Sequence, residues 1–255
     1  MSYSEIHVWG DSLARGIIYN EARGRYAISH ERCTSRLEAA LDRKAVNHAN
    51  MGATVEDGLA VFAKFEPIPD ALCVIEFGGN DCDLDWAYVA SHPDEPIQPK
   101  IALDRFKDGL KAFITSVRDG GMNAMLVTPL PLNAQRYFRW VTRGLDAEAV
   151  LKALGDVNHI YRWQERYAIA VSDVARSMGC PLFDLRDLFL SQSHVERLMC
   201  VDGIHPNDEG HRLIADAALL RAANDPNAPS VVARQEVENA HQTAIPSAGL
   251  FENVI

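Results

Sequence analysis

The chain has 255 residues, 47% of them hydrophobic and 24% charged, which fits one large domain or two small ones and is long enough to bury a substantial core. Its 35 acidic residues exceed its 25 lysines and arginines, giving a formal charge of −10. So acidic a chain makes a poor nucleic-acid binder, because that affinity rests on clustered Lys and Arg.

Taken in chain order, short apolar runs alternate with helical patterns. Ile6-His7-Val8-Trp9 reads as a strand ending at Gly10, and Ala45-Val46-Asn47-His48 as a weaker one. Ala71 to Phe77 is another strand, ending at Gly78-Gly79. Ala124 to Thr128 follows, stopped by Pro129 and Pro131, and then Pro181 to Asp184. Nearly continuous apolar strands suit a parallel sheet covered on both faces. The helical patterns lie at 34–43, 54–64, 103–118, 160–178 and 208–223, the second opening on Thr54 as an N-cap. Strands alternating with helices predict a doubly wound α/β fold, in which ligands bind beyond the carboxyl ends of the strands. Two segments break the alternation. Residues 82–100 read as a long polar connection, and 132–163 is dense in aromatics.

No apolar run reaches the roughly 18 residues a membrane helix needs. The polar start, Met1 to Ile6, lacks the basic and apolar regions of an export signal. The cysteines, at 33, 73, 82, 180 and 200, are odd in number and show no CxxC pair. That argues against a disulfide framework or a Cys-rich zinc site. A reducing, cytoplasmic setting is expected, with no membrane or nucleic-acid partner.

The chemistry sits in the segments that follow the strands. In Gly10-Asp11-Ser12-Leu13 a serine at a strand-to-helix turn can present its hydroxyl at the sheet edge, although Ser before a helix commonly serves only as a cap. In Asp202-Gly203-Ile204-His205-Pro206 the carboxylate can reach imidazole Nδ1 and leave Nε2 free as a base, although Asp, Gly and Pro also make ordinary turns. In Gly78-Gly79-Asn80-Asp81 the Asn80 amide could donate to an oxyanion or simply cap a helix. In Asn50-Met51-Gly52-Ala53 the Gly52 N–H could join it or belong to a plain turn. Each segment alone has an ordinary structural role. Together they supply a nucleophile, a base, its orienter and oxyanion donors, which is the inventory for acyl transfer.

These four blocks, in this order, resemble the SGNH hydrolases, also called the GDSL esterase/lipase family. The resemblance spans roughly residues 5–222. It implies a three-layer, flavodoxin-like α/β fold with a five-stranded parallel sheet. It implies Ser12 as nucleophile, His205 as base and Asp202 as orienter. The oxyanion hole would comprise the N–H groups of Ser12 and Gly52 and the side chain of Asn80.

Other motifs fail. Leu13-Ala14 after Ser12 excludes the G-x-S-x-G elbow, and the chain has no HExxH, P-loop or G-x-G-x-x-G. His205 and His211 beside Asp202 and Asp208 make a weak metal set, and no metal or cofactor is expected. Asp11, Trp86, Tyr137 and Trp140 are candidate substrate-binding residues, and at least two of Trp86, Tyr137, Trp140 and Trp163 should line the site. Arg143 reads as a solvated side chain, and His159 and Glu165 as helical residues. The expected activity is a serine esterase acting on small acyl esters, preferably acetyl groups on carbohydrates. A lysophospholipase or thioesterase with the same triad is the alternative, and a non-catalytic binding protein on this scaffold is a further one.

The organisation read from the sequence is a hydrolase domain over 1–222 and a tail over 223–255. The tail carries Pro226, Pro229 and Pro246 and ends in the apolar Leu250, Phe251, Val254 and Ile255. Such a stretch cannot form a core alone. Its apolar end is expected to dock on the same chain or on a second copy in a homo-oligomer, with an untethered, disordered tail as the alternative. Truncation after Ala223 should therefore lower either the melting temperature or the particle mass by light scattering. If neither changes, the docking idea is removed.

Overall fold

The computed structural model describes residues 3–41 and 43–223. Its central sheet comprises β1 (Ile6–Gly10), β4 (Ala45–Asn47), β5 (Leu72–Glu76), β6 (Asn123–Val127) and β7 (Leu182–Phe183). The strand order is β4-β1-β5-β6-β7 and every pairing is parallel. The register sets Gly10 beside Glu76 and Glu76 beside Val127, so three strands end together at one edge.

Both faces of the sheet are covered, as the apolar strands require. On one side lie α3 (Val55–Phe62), α5 (Leu103–Asp119) and α8 (His159–Ser177). Phe106, Leu110, Phe113, Ile114 and Val117 of α5 recur at helical spacing and are buried against Trp9, Cys73, Ile75 and Leu126. On the other side α2 (Cys33–Leu41) packs against α10 (Asp208–Ala223). There α9 (Leu185–Leu190) contributes Leu185 and Phe189 to a cluster with Val127, Leu130 and Ile214. The result is a three-layer α/β/α fold, as the sequence predicts. The helix boundaries at 103–119, 159–177 and 208–223 agree with the periodicity, and a Thr54–Asp57 capping box starts α3.

Three features differ from the sequence reading. Residues 17–28 form a hairpin, with β2 (Ile17–Asn20) antiparallel to β3 (Arg25–Ile28). The supposed polar connection at 82–100 carries a helix, α4 (Trp86–Ser91), capped by Asp85 and closed by a Leu84–Pro99 bridge. The aromatic segment folds into α6 (Ala134–Val141), α7 (Ala147–Leu154) and the start of α8. These helices share a separate apolar cluster of Leu84, Val89, Tyr137, Val150, Leu154 and Ile160. That cluster forms a helical cap beside the sheet edge. The expected tail beyond Ala223 lies outside the described residues.

Candidate active site

The site starts where β1 stops. Asp11 is the N-cap of α1 (Ser12–Arg15), and its Oδ1 accepts a hydrogen bond from Leu13 N at 2.9 Å. Ser12 is therefore the first residue of a helix, and its N–H has no helical carbonyl to reach.

His205 arrives from the other end of the chain. Its loop runs from a 3₁₀ turn at Val195–Leu198 to α10 and is pinched by a Met199–Pro206 bridge and a Cys200 N to His205 O bond of 2.8 Å. Gly203 lets this loop sit against α6. Its φ is +79°, and a Cβ would lie 2.7 Å from Arg136 Cβ and 2.8 Å from Asn133 O. Only glycine fits both the conformation and the approach.

The Asp202 carboxylate is wholly buried. Its Oδ1 accepts from the amides of Ile204 and His205, both at 3.1 Å. Its Oδ2 lies 2.7 Å from His205 Nδ1 and accepts from Tyr26 OH at 3.2 Å. Burial alone would raise the Asp202 pKa, but the His205 hydrogen bond, the His205 charge and the two amides bring it below its ordinary value. An ionised Asp202 accepts a hydrogen bond from Nδ1–H and holds the proton on that nitrogen. That tautomer leaves Nε2 as the acceptor, and Nε2 is 2.8 Å from Ser12 Oγ. The structure brings together the three residues that the sequence picked out, 193 positions apart at their widest, in one hydrogen-bonded chain.

The oxyanion candidates face the same space. Ser12, Gly52, Asn80 and His205 all line one cavity of about 310 Å³. Gly52 sits in a turn with φ +83°, tied to β1 through Asn50 N and Gly10 O at 3.0 Å. Its N–H meets no acceptor among the described residues. Asn80 Nδ2 donates one hydrogen to Asp11 Oδ2 at 3.0 Å, which orients the amide and leaves its second hydrogen free. Asp81 caps α3 by accepting from Val55 N at 2.9 Å and so braces the Asn80 turn against the Gly52 turn.

The remaining predicted residues sort by geometry. Trp86, Tyr137, Trp140 and Trp163 all line the cavity. Asp11 touches it too, but its buried carboxylate is spent on Leu13 and Asn80 rather than left open to a substrate. The carboxylate thus positions the Ser12 turn and the Asn80 amide. The exposed Arg143 stacks its guanidinium 3.7 Å from the Trp140 ring centroid. His159 opens α8 and also lines the cavity, while Glu165 pairs with Arg186. His211 is bonded to β2 instead. Its Nε2 donates to Ile17 O at 3.2 Å, and burial pushes its pKa down to about 4.

Two residues of the site escaped the sequence reading. Tyr26, on the hairpin, supports Asp202, and the runs Ile17-Ile18-Tyr19 and Arg25-Tyr26-Ala27-Ile28 around Gly24 were the available signal. Asp83 holds the aromatic wall. Its Oδ1 accepts from Trp86 Nε1 at 2.9 Å and from Tyr137 OH at 2.7 Å, and its Oδ2 pairs with Lys100 at 2.9 Å. No local pattern marks an aspartate whose partner lies 54 residues away.

Comparison with known proteins bears on the family and the fold. Residues 8–213 match the GDSL-like Lipase/Acylhydrolase family. The fold is similar to a lipase/acylhydrolase from Enterococcus faecalis, with a TM-score of 0.58 and 19% identity over 86% of this chain and 95% of that one. It is similar to an acetylxylan esterase from Geobacillus stearothermophilus, with a TM-score of 0.56 and 18% identity over 86% and 94%. It is also similar to a member of the lipolytic G-D-S-L family from Veillonella parvula, with a TM-score of 0.58 and 14% identity over 85% and 96%. Among curated proteins none matches the sequence.

Two substitutions test the arrangement. Asp202→Asn should preserve the fold but let an amide donate to Nδ1, which moves the imidazole proton to Nε2 and lowers turnover on the order of 10⁴-fold. Near-normal turnover would show that Asp202 is not the orienter. Asn80→Ala should lower kcat by about 10²–10³ with KM little changed. A loss confined to KM would make Asn80 a ground-state contact instead.

Proposed function

The chain belongs to the GDSL-like lipase/acylhydrolase family of the SGNH hydrolase superfamily, and from that premise we propose that it is a serine esterase that cleaves small acyl esters through an acyl-enzyme. The observation that carries this reading is the unbroken chain Asp202–His205–Ser12, with links of 2.7 and 2.8 Å, ending in a cavity that Gly52 and Asn80 also line.

The chemistry follows from the donors and acceptors. Ser12 Oγ attacks the ester carbonyl carbon as its proton passes to His205 Nε2. Asp202 stabilises the imidazolium that results. The carbonyl oxygen becomes an oxyanion between the Ser12 and Gly52 N–H groups and the free Asn80 hydrogen. Collapse breaks the bond to the alcohol oxygen, which leaves with the proton from Nε2. Water then attacks the acyl-Ser12 carbonyl by the same route and releases the acid.

The cavity bears on the substrate. At about 310 Å³ it lies at the small end of ligand pockets, which favours a short acyl group. Trp86, Trp140 and Trp163 offer aromatic faces suited to sugar C–H surfaces, so acetylated carbohydrates remain the preferred class. One observation favours a longer acyl chain, as in a lysophospholipase or thioesterase: Leu84, Ile97, Leu132, Leu154 and Ile160 make a continuous apolar wall. A non-catalytic binding role gains no support, since no triad member is missing. All five cysteines are free and four are buried, which supports action in a reducing compartment such as the cytoplasm. Among the described residues no helix is long and apolar enough to cross a membrane.

The test is a series of p-nitrophenyl esters from acetate to palmitate beside acetylated sugars. Activity should fall steeply beyond butyrate and vanish in Ser12→Ala. A maximum at long chains would move the assignment to the second reading. A phosphonate probe should label Ser12 only when His205 is present. Labelling of another serine, with Ser12→Ala still active, would end the mechanism.

A further inference from the structure

Beneath the oxyanion hole lies a group that the mechanism above leaves without a role. Glu76, the last residue of β5, is paired in register with Gly10 and is 3% exposed. Its Oε2 would lie 3.0 Å from a Cβ at Gly10, so the carboxyl is wedged under the turn that presents Ser12. Asp11, one residue beyond Gly10 and 4% exposed, carries the charge that acts most strongly on it. Neither carboxyl has a cationic partner among the ion pairs of the described residues. Two ionised carboxylates that act on each other, both buried and without a cation, are not a stable arrangement, so the pair holds a proton.

The proton's position follows from the donors. Burial raises the Asp11 pKa, but Asp11 accepts from Leu13 N through one oxygen and from Asn80 Nδ2 through the other, and both bonds favour its charged form. Glu76 Oε2 is buried and has no conventional donor. Burial, together with the charge of Asp11, pushes Glu76 well above the usual carboxylate range. The other titratable groups near the pair are Asp81, raised to about 7 chiefly by burial, and His205, whose charge acts on Asp11.

We propose that Glu76 is a positioning residue for the esterase reaction: its protonated carboxyl donates to the Asp11 carboxylate, which in turn holds the Asn80 amide toward the oxyanion. The inference rests on the esterase reading. It also answers an electrostatic problem of that reading. A bare Asp11 charge one residue from the nucleophile would oppose the negative charge developing on the substrate oxygen. An O–H from Glu76 draws that charge toward the sheet while leaving Asp11 able to accept from Asn80. Protonated Glu76 has the hydrogen-bonding capacity of glutamine, which can also donate to Asp11.

Glu76→Gln and Glu76→Ala separate this role from packing. Glu76→Gln should keep kcat within about threefold of wild type, whereas Glu76→Ala should lose about tenfold or more in kcat at nearly constant KM. Added to Asn80→Ala, Glu76→Ala should cost nothing further, because both act through one amide. Wild-type kcat should fall on the alkaline side as Glu76 loses its proton, and Glu76→Gln should lack that limb. Infrared difference spectroscopy should find a protonated carboxylic acid band in wild type that Glu76→Gln removes. This readout holds even if Glu76→Ala fails to fold. The proposal is overturned by a Glu76→Gln loss as large as that of Asn80→Ala, by a full additive loss in the double variant, or by the absence of that band. A protein with the band and with esterase activity that survives Ser12→Ala would instead sink the esterase mechanism and keep the shared proton.

Discussion

The site depends on a buried charge that is fully satisfied. Asp202 has no exposed surface, and four donors converge on its two oxygens: the Ile204 and His205 amides, His205 Nδ1 and Tyr26 OH. An ionised carboxylate in that position is tolerable only because each lone pair that matters is met. The same bonds do three structural tasks. The amides fold the 202–205 loop, the imidazole bond selects the tautomer, and the tyrosine bond ties the hairpin to the loop. Removing the whole side chain would loosen all three. The base, its geometry and the local fold are therefore one cooperative unit rather than separable parts.

The sheet brings the nucleophile's half of the site together by a different device. Parallel register ends β1 and β5 side by side at Gly10 and Glu76, and the chain leaving each strand carries Ser12 and Asn80. The Asp11–Asn80 bond links those two exits directly. Above them the cap built by α4, α6, α7 and α8 encloses the cavity. Asp83 takes the polar ends of Trp86 and Tyr137, so their ring surfaces line the cavity without an unpaired N–H or O–H. Reaction edge and enclosing wall are thus separately supported, each by its own aspartate.

That division explains what the sequence could reveal. Strands β1, β5 and β6 and helices α5, α8 and α10 are long or apolar enough for their period to show, and they define the layers. The residues proposed for the triad and the oxyanion hole were readable because each follows a recognisable strand or precedes a helix. The hairpin escaped because β2 and β3 are only four residues each, half-exposed, and sit close behind the Ser12 turn. Helix α4 escaped because its six residues bury only Val89, too few to show a stripe. The roles of Asp11, Tyr26 and Asp83 escaped for a further reason. Their partners lie 69, 176 and 54 residues away, and only the fold supplies the contact.

Two buried acids near one serine end in opposite protonation states, and the difference comes from their neighbours rather than from their depth. Asp202 and Glu76 are both withdrawn from water, a change that disfavours charge in each. Asp202 receives four hydrogen bonds, two of them from His205, one through its backbone amide and one through the imidazole that must bear a positive charge during reaction. Its negative charge is stabilised when the transition state needs it. Glu76 faces another carboxylate, and its Oε2 has no donor. A second charge there would add to that of Asp11, close to the oxygen on which negative charge develops. A neutral Glu76 spares the oxyanion hole that repulsion and supplies Asp11 with a donor. The placement of one proton and the absence of another are then parts of a single electrostatic solution: negative charge held behind the base, and suppressed beneath the oxyanion.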